Sequence, residues 1–492
     1  MKLAKATAFL TIAFALAVGT APFIAAQQQN RESYDYFGPN RQLVARGMQA
    51  LILCNGLFTS GRSLEDVYRH ELQIQRIPLL HPQNGDVQID RNNKTVTVGR
   101  DGNDPIPVMR AVYREGLGCI VMSPDQTLAD IDDLPILKMP PLSGNAARID
   151  WPDGDRTDPY KRPTDFDKEA LQEASDWLFD PELHGNPSQV TLSLLVLYKG
   201  QIVHERYENG ANVGTKTRTW SAAKSIAVTL IGMLVDRGEL SLDEPLDVDW
   251  LPRTRDSEHD ARRNITLRNV LNMSSGLDTV DNAGNVDVTG SGLSYWAGRS
   301  SADGARSRRL QHDPDAHWDY ENYDTLLAVL AMKRVIGDDQ EYLEFPRKNL
   351  FDKIGMRNTV PGVDRFGDFV FSSQVYTTAR DLARFGLLYM NDGVWNGERL
   401  ISSQWIEFCR TPAPASSAIG DQYGGQWWLV PTNTTGVPRD AFVAAGNRGN
   451  YVIVIPSKEL VIVRRGLDRS ARGDRSYRHW DIARQVLTAF PN

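Results

Sequence analysis

Cysteine is scarce, with three in 492 residues. Cys54, Cys119 and Cys409 are far apart, which excludes a small disulfide-dense scaffold and leaves no zinc-type spacing. No G-x-S-x-G is present, so the nucleophile elbow of an α/β-hydrolase has no support. No H-E-x-x-H is present either. His312 and His317 flank a short acidic stretch without a third ligand, and we expect neither a metal nor a cofactor. Neither sign of charge dominates: 55 basic against 62 acidic residues give a net −7. That balance carries no electrostatic footprint for nucleic acid. Arg306, Arg308 and Arg309 form a local cluster, read as a solvated loop. There is no internal repeat, and no apolar run beyond the N-terminus approaches a membrane span.

Lys2 and Lys5 precede an apolar run from Ala6 to Val18, then small residues and a glutamine run. This is a signal-peptide pattern over residues 1–26, with cleavage expected after Ala26. Export to the periplasm or the medium is therefore expected, without stable membrane insertion. In such a compartment a disulfide persists. Cys54 and Cys119 are the expected pair, with two buried thiols as the alternative, since ALILCNGLF and GLGCIVM are both apolar.

Residues 27–163 read as an N-terminal extension, and its apolar content predicts packing on the remainder of the chain. Two helices with a turn at Gly61 come first. A hairpin follows around Asn92-Asn93, then one further strand through PVMRAVYREGLGCIVMS. From Pro135 to Pro163 the chain is rich in Pro, Asp and Gly and reads as an irregular crossing. Residues 164–492 read as the main domain. TLSLLVLYKGQIVHERYE predicts two strands about Lys199-Gly200, and SAAKSIAVTLIGMLVDRGEL an apolar helix ended by Gly238. A helical section spans about 242–400. After it YGGQWWLV, AFVAAG, YVIVIP and LVIVRR predict strands, and YRHWDIARQVLTAF a last helix. The fold class expected is α+β: first and last strands joined in one antiparallel sheet, flanked by helices, with a helical subdomain and a cleft between them.

Ser221 and Lys224 form S-x-x-K at the start of that apolar helix. Residues three apart share a helical face, so an uncharged lysine amine there takes the serine proton. The helix start adds free N–H groups that favour developing negative charge. Taken alone, the spacing equally suits an N-cap serine with an exposed lysine. Tyr320 and Asn322 in DYENYD offer a proton shuttle or base and a partner for Lys224 or a substrate carbonyl. The same triplet also suits a packed tyrosine and a helix cap. Ala444, Ala445, Gly446 and Asn447 supply a strand edge with small side chains. There the N–H groups of Asn447 and Ser221 would make an oxyanion hole. Trp220 and Tyr376 are expected near the cleft. Trp427 and Trp428 are read as core and His204 is given no role.

These segments together resemble the serine beta-lactamase and penicillin-binding protein superfamily, in its class C and esterase branch. The resemblance spans roughly 185–490 and rests on Ser221-x-x-Lys224, Tyr320-x-Asn322, ITLRNVLNMSSGLDT, LFDKIGM and YTTARDLARFGLLYMNDGVWNG. It implies an acyl-enzyme on Ser221 with Lys224 and Tyr320 as acid and base groups. Penicillin-recognising members carry Lys or His in the third motif, where this chain has Ala444-Ala445-Gly446. The chain thus resembles instead the branch of esterases and aminohexanoate-dimer hydrolases. A small linear amide, ester or peptide is the expected substrate. A D,D-carboxypeptidase or beta-lactamase, and a non-catalytic envelope binding protein, are the alternatives. The sequence leaves oligomeric state open.

Overall fold

A computed structural model describes residues 37–74, 77–100, 102, 104–253, 257–281, 290–469 and 479–491. The expected signal peptide lies outside them. Helix α1 (Gly38–Cys54) buries Val44, Ala50, Leu51 and Leu53 against a four-stranded antiparallel sheet. That sheet is β1 (Val87–Asp90), β2 (Thr95–Val98), β3 (Met109–Arg114) and β4 (Gly118–Val121), ordered as in the chain. Where one strand was expected there are two. Gly116 and Gly118, both at positive φ, let the chain fold back on itself after Arg114.

Cys54 and Cys119 are joined in a disulfide that ties α1 to β4. Beside it, the Asn55 side-chain oxygen accepts the Cys119 N–H at 3.0 Å and the Thr59 hydroxyl at 2.7 Å. Residues 135–163 contain only short turns and loops, as their Pro and Gly content dictates.

Helix α2 (Lys168–Phe179) leads into β5 (Thr191–Tyr198) and β6 (Gln201–Tyr207). A two-residue β7 (Thr217–Arg218) precedes α3 (Ala223–Asp236). The helical section includes α4 (Asn322–Ile336), and β8 (Val360–Pro361) and β9 (Val375–Thr377) then complete a small sheet with β7. After α5 (Ala379–Met390) come β10 (Trp428–Leu429), β11 (Phe442–Gly446), β12 (Asn450–Ile455), β13 (Leu460–Gly466) and α6 (His479–Leu487). The main sheet is antiparallel throughout, in the order β10-β11-β12-β13-β5-β6.

Side chains alternate between two buried faces of this sheet. Val196, Val443, Ile453 and Ile462 meet α2 and α6 through Leu171, Leu178, Ile482 and Val486. Leu195, Val452, Val461 and Val463 belong to the larger core with α3 and α5. Gly386 lets α5 lie close to the sheet, since a Cβ there would stand 2.5 Å from Val461. Helix α3 is buried from Ala223 to Leu234 and packs on α4 and β11, between the sheet and the helical section.

Two expectations are corrected. YGGQWWLV joins the main sheet only at Trp428–Leu429, and its Tyr423 makes an isolated bridge to Trp428. Gln426 sits at φ +59 with its amide bonded to Thr325 and to the Val270 and Leu271 carbonyls, which draws the backbone out of the strand. Arg308 is not solvated: it is 4 % exposed and pairs with buried Asp324 of α4 at 2.6 Å. Among the described residues no helix is long and apolar enough to cross a membrane.

The disulfide closes a loop with a sequence separation of 65. Opening it in a Cys54→Ala/Cys119→Ala variant is expected to cost about 2–4 kcal/mol in urea unfolding. An unchanged midpoint would show that the apolar contacts of α1 suffice.

Candidate active site

Ser221 lies in the tight turn Trp220–Ala222 that opens directly into α3, so its side chain and that of Lys224 share one helical face. The turn is held in an uncommon shape. Trp220 has φ +53, a left-handed conformation that bulky residues rarely adopt. Its ring stacks against the Arg218 guanidinium at 4.1 Å, which also lies 4.2 Å from the Trp296 ring. Arg218 is anchored in turn on Ser373, through the carbonyl at 3.2 Å and the hydroxyl at 2.5 Å.

Strand β11 closes on the turn from the other side. A Cβ on Gly446 would stand 2.0 Å from the Thr219 carbonyl oxygen and 3.1 Å from the Ala222 nitrogen. Only glycine permits that approach. Asn447 follows, exposed, in a turn that lies against Trp220–Ala222. Ala445 is partly exposed on β11, opposite Tyr451.

Lys224 is 1 % exposed. Its Nζ donates to Asn322 Oδ1 at 2.6 Å, the Ser372 carbonyl at 3.0 Å and Ser221 Oγ at 3.3 Å. It also sits 4.8 Å from the centre of the Tyr320 ring. The Ser221 side chain lies close enough to the Tyr320 hydroxyl to oppose the upward shift that burial gives it. The four residues Ser221, Lys224, Tyr320 and Asn322 are thus one connected group. Asn322 is oriented from behind, its amide donating to Asp281 at 2.6 Å and to the Ser291 hydroxyl at 3.1 Å. Ser291 donates to Asp281 as well, and the Asp281 N–H donates to Glu321 at 3.2 Å.

Burial pulls the Lys224 ammonium down to about 7, and Arg218 adds to this while Asp281 and Glu321 oppose it. Burial pushes the Tyr320 hydroxyl up, so it keeps its proton. Burial, with the charge of Asp281, pushes the Glu321 carboxyl up as well. The arrangement is therefore an amine drawn down toward neutrality, a protonated tyrosine near a serine hydroxyl, and that serine at the start of a helix.

Trp220 is partly exposed beside Ser221, with Trp318, Tyr423 and Trp428 ringing Tyr320 at 5.4–6.4 Å. Tyr376 lies apart from this group. It is 3 % exposed, pairs with Arg218 in the small sheet, and bonds to the Asn55 side chain. His204 bonds Ser175 at 2.9 Å, a packing contact. A groove of about 700 Å³ is lined by Leu64, Tyr68, Leu79 and His81 and includes none of these site residues. Sequence reasoning did not reach Arg218, Asp281, Ser291, Glu321 or the Ser372 carbonyl. Each acts through a partner far along the chain, and only Glu321, inside the Tyr320-x-Asn322 triplet, stood near a flagged position. Among the described residues no cluster of His, Cys, Asp and Glu is placed to hold a metal ion.

The chain belongs to the beta-lactamase family, whose model matches residues 182–465, more than half of it. It is similar to the 6-aminohexanoate-dimer hydrolase of Paenarthrobacter ureafaciens, with 27 % identity over 309 residues that cover 59 % of this chain and 75 % of that protein. A solved Bacillus anthracis structure, described as a candidate 6-aminohexanoate-dimer hydrolase, shares the fold. Its TM-score is 0.50 at 20 % identity, covering 61 % of this chain and 78 % of that one. A Bacteroides dorei structure, described as a candidate beta-lactamase, gives a TM-score of 0.49 at 18 % identity, covering 65 % and 98 %. Membership carries serine-hydrolase chemistry at the level of the family and leaves the substrate open.

With its folded value drawn to about 7, Lys224 is expected to be neutral above that pH and charged below it. NMR titration of protein labelled with [ε-13C]lysine should show one resonance moving near neutrality and missing in Lys224→Met. Asn322→Asp should raise that midpoint by placing a carboxylate on Nζ. A lysine titrating only above pH 9 would contradict the geometry.

Proposed function

We propose that the protein is an exported hydrolase of small linear amides or esters, working through an acyl-enzyme on Ser221. The connected group of Ser221, Lys224 and Tyr320 carries this reading. Neutral Lys224 accepts the Ser221 proton as Oγ attacks the substrate carbonyl carbon. The N–H groups of Ser221 and Asn447 receive the oxyanion that forms. The proton then passes from Lys224 through the Tyr320 hydroxyl to the leaving nitrogen or oxygen as its bond to carbon breaks. Water adds to the acyl carbon by the same route in reverse and restores Ser221. Tyr320 retains its proton at rest, so we assign it the shuttle and Lys224 the base.

The substrate class rests on the third motif. Ala444-Ala445-Gly446 brings no cation to the β11 edge, and buried Arg448 is held away by backbone carbonyls. A substrate carboxylate has nothing to meet there, which favours a neutral acyl chain over a penicillin or a D-alanyl peptide. Partly exposed Trp220, Trp318 and Trp428 flank the site and suit apolar substituents. The similarity to the Paenarthrobacter ureafaciens hydrolase agrees with a linear amide. Residues 27–163 form the extension and 164–492 the hydrolase domain in this reading, with export directed by residues 1–26.

A fluorophosphonate probe is expected to label Ser221, and Ser221→Ala to abolish labelling. Lys224→Ala should slow it by about 10²–10⁴-fold, the usual worth of a positioned base. Folded protein left unlabelled by this and by a smaller probe would favour the envelope binding protein. Turnover of D-Ala-D-Ala peptides above that of neutral esters and amides would favour the carboxypeptidase.

A further inference from the structure

The turn that follows the third motif has an unusual anchor. Arg448, next to Asn447, sits at φ +60, a left-handed conformation for a long side chain. Its side chain runs inward rather than into solvent, and the residue is 3 % exposed. The guanidinium donates to four carbonyl oxygens. Two lie just past the end of β13, Leu467 at 2.7 Å and Asp468 at 2.9 Å. Two lie 378 and 377 residues away, His70 at 2.6 Å and Glu71 at 3.0 Å. These last are carbonyls at the C-terminal end of the helical turn Val67–Glu71, in the N-terminal region. The chain runs straight on into the helical turn Leu72–Ile74, and the second lone pair of each carbonyl oxygen suits a guanidinium.

The same short segment serves the rest of the site's underside. Glu71 is 7 % exposed and pairs with Arg62 at 2.8 Å, and Arg62 also bonds the His70 ring at 2.9 Å. The charge of Glu71 favours the protonated forms of Arg218, Arg448 and Arg465, all of which burial pulls down. Arg218 stacks on Trp220, and Arg465 bonds the Thr217 and Arg218 carbonyls at 2.7 and 3.2 Å. Both shape the backbone that delivers Ser221.

We propose that Val67–Glu71 is a working part of the active site: its terminal carbonyls clamp Arg448, and the clamp fixes the turn that holds the Asn447 N–H against the Ser221 turn. Arg448 and Glu71 are positioning residues in this account, and neither touches substrate. The proposal rests on the oxyanion role given to Asn447. It makes the N-terminal region part of the catalytic apparatus rather than a separate appendage. Lysine cannot replace Arg448, because one ammonium with three donors cannot serve four carbonyls that three separate guanidinium nitrogens reach.

The test uses the full chain with p-nitrophenyl acetate as substrate and phenylboronic acid as a probe that forms a tetrahedral adduct on the serine. Arg448→Lys is expected to lower kcat by about tenfold or more, approaching the ~10²–10³-fold loss seen when one oxyanion donor is removed. KM should stay within about twofold, and boronate affinity should fall in parallel with kcat. Glu71→Gln should give the same kcat-selective loss, smaller in size, and serves if Arg448→Lys does not fold. Unchanged kcat and boronate affinity with a lowered urea midpoint would overturn the clamp as a catalytic device and leave Ser221 chemistry standing. Unaltered protein with neither ester turnover nor labelling at Ser221 would overturn the acyl-enzyme reading itself, and the clamp with it.

Discussion

Everything at the site depends on a lysine that has been taken out of water. An ammonium in a protein interior is costly unless acceptors surround it. Lys224 has three, from Ser221, Asn322 and the Ser372 carbonyl. They match the three protons of the charged form, yet burial draws the group down to about 7. The balance leaves an amine that gains and loses a proton with little cost. The Asp281, Ser291 and Glu321 network behind Asn322 follows from the same constraint. Asn322 must present its oxygen to Nζ, so its amide nitrogen needs fixed acceptors on the other side.

Much of the fold was legible because its signals are local. The apolar strands between Thr191 and Tyr207, the helix ended by Gly238 and the strand run after Phe442 each announce themselves by pattern and turn residues. That the site's side chains would meet was legible through spacing: three residues from Ser221 to Lys224, two from Tyr320 to Asn322. What stayed hidden is whatever depends on contacts between distant segments. Gln426 leaves its strand because of carbonyls at Val270 and Leu271. Arg308 looks like a surface residue until Asp324 is beside it. Tyr376 follows an apolar stretch that suggests the cleft, but Arg218 and Asn55 claim it.

Arginine has an uncommon part in this interior. Arg218, Arg384, Arg448, Arg464 and Arg465 are each no more than 3 % exposed. Planar donors that fork to several carbonyls let loops without regular structure sit inside the protein with their backbone satisfied. Arg384 does this for the irregular crossing, donating to the Pro152 carbonyl at 2.6 Å and the Gly154 carbonyl at 2.5 Å. Arg464 does it for the turn after β11, through the Gly449 carbonyl at 3.0 Å. Long loops are thereby made as definite as strands, which a site assembled from several of them requires.

The middle of the main sheet has a consequence for the life of the chain before it is finished. Strand β5 finds its inner neighbour in β13, with Tyr198 opposite Leu460 and Leu195 opposite Val463. Ser221 is made well before β13, the strand that completes the sheet beneath it. Contacts so distant in sequence form slowly and only once both partners exist. A partly synthesised chain therefore carries Ser221 without the completed sheet beneath it until β13 has been produced.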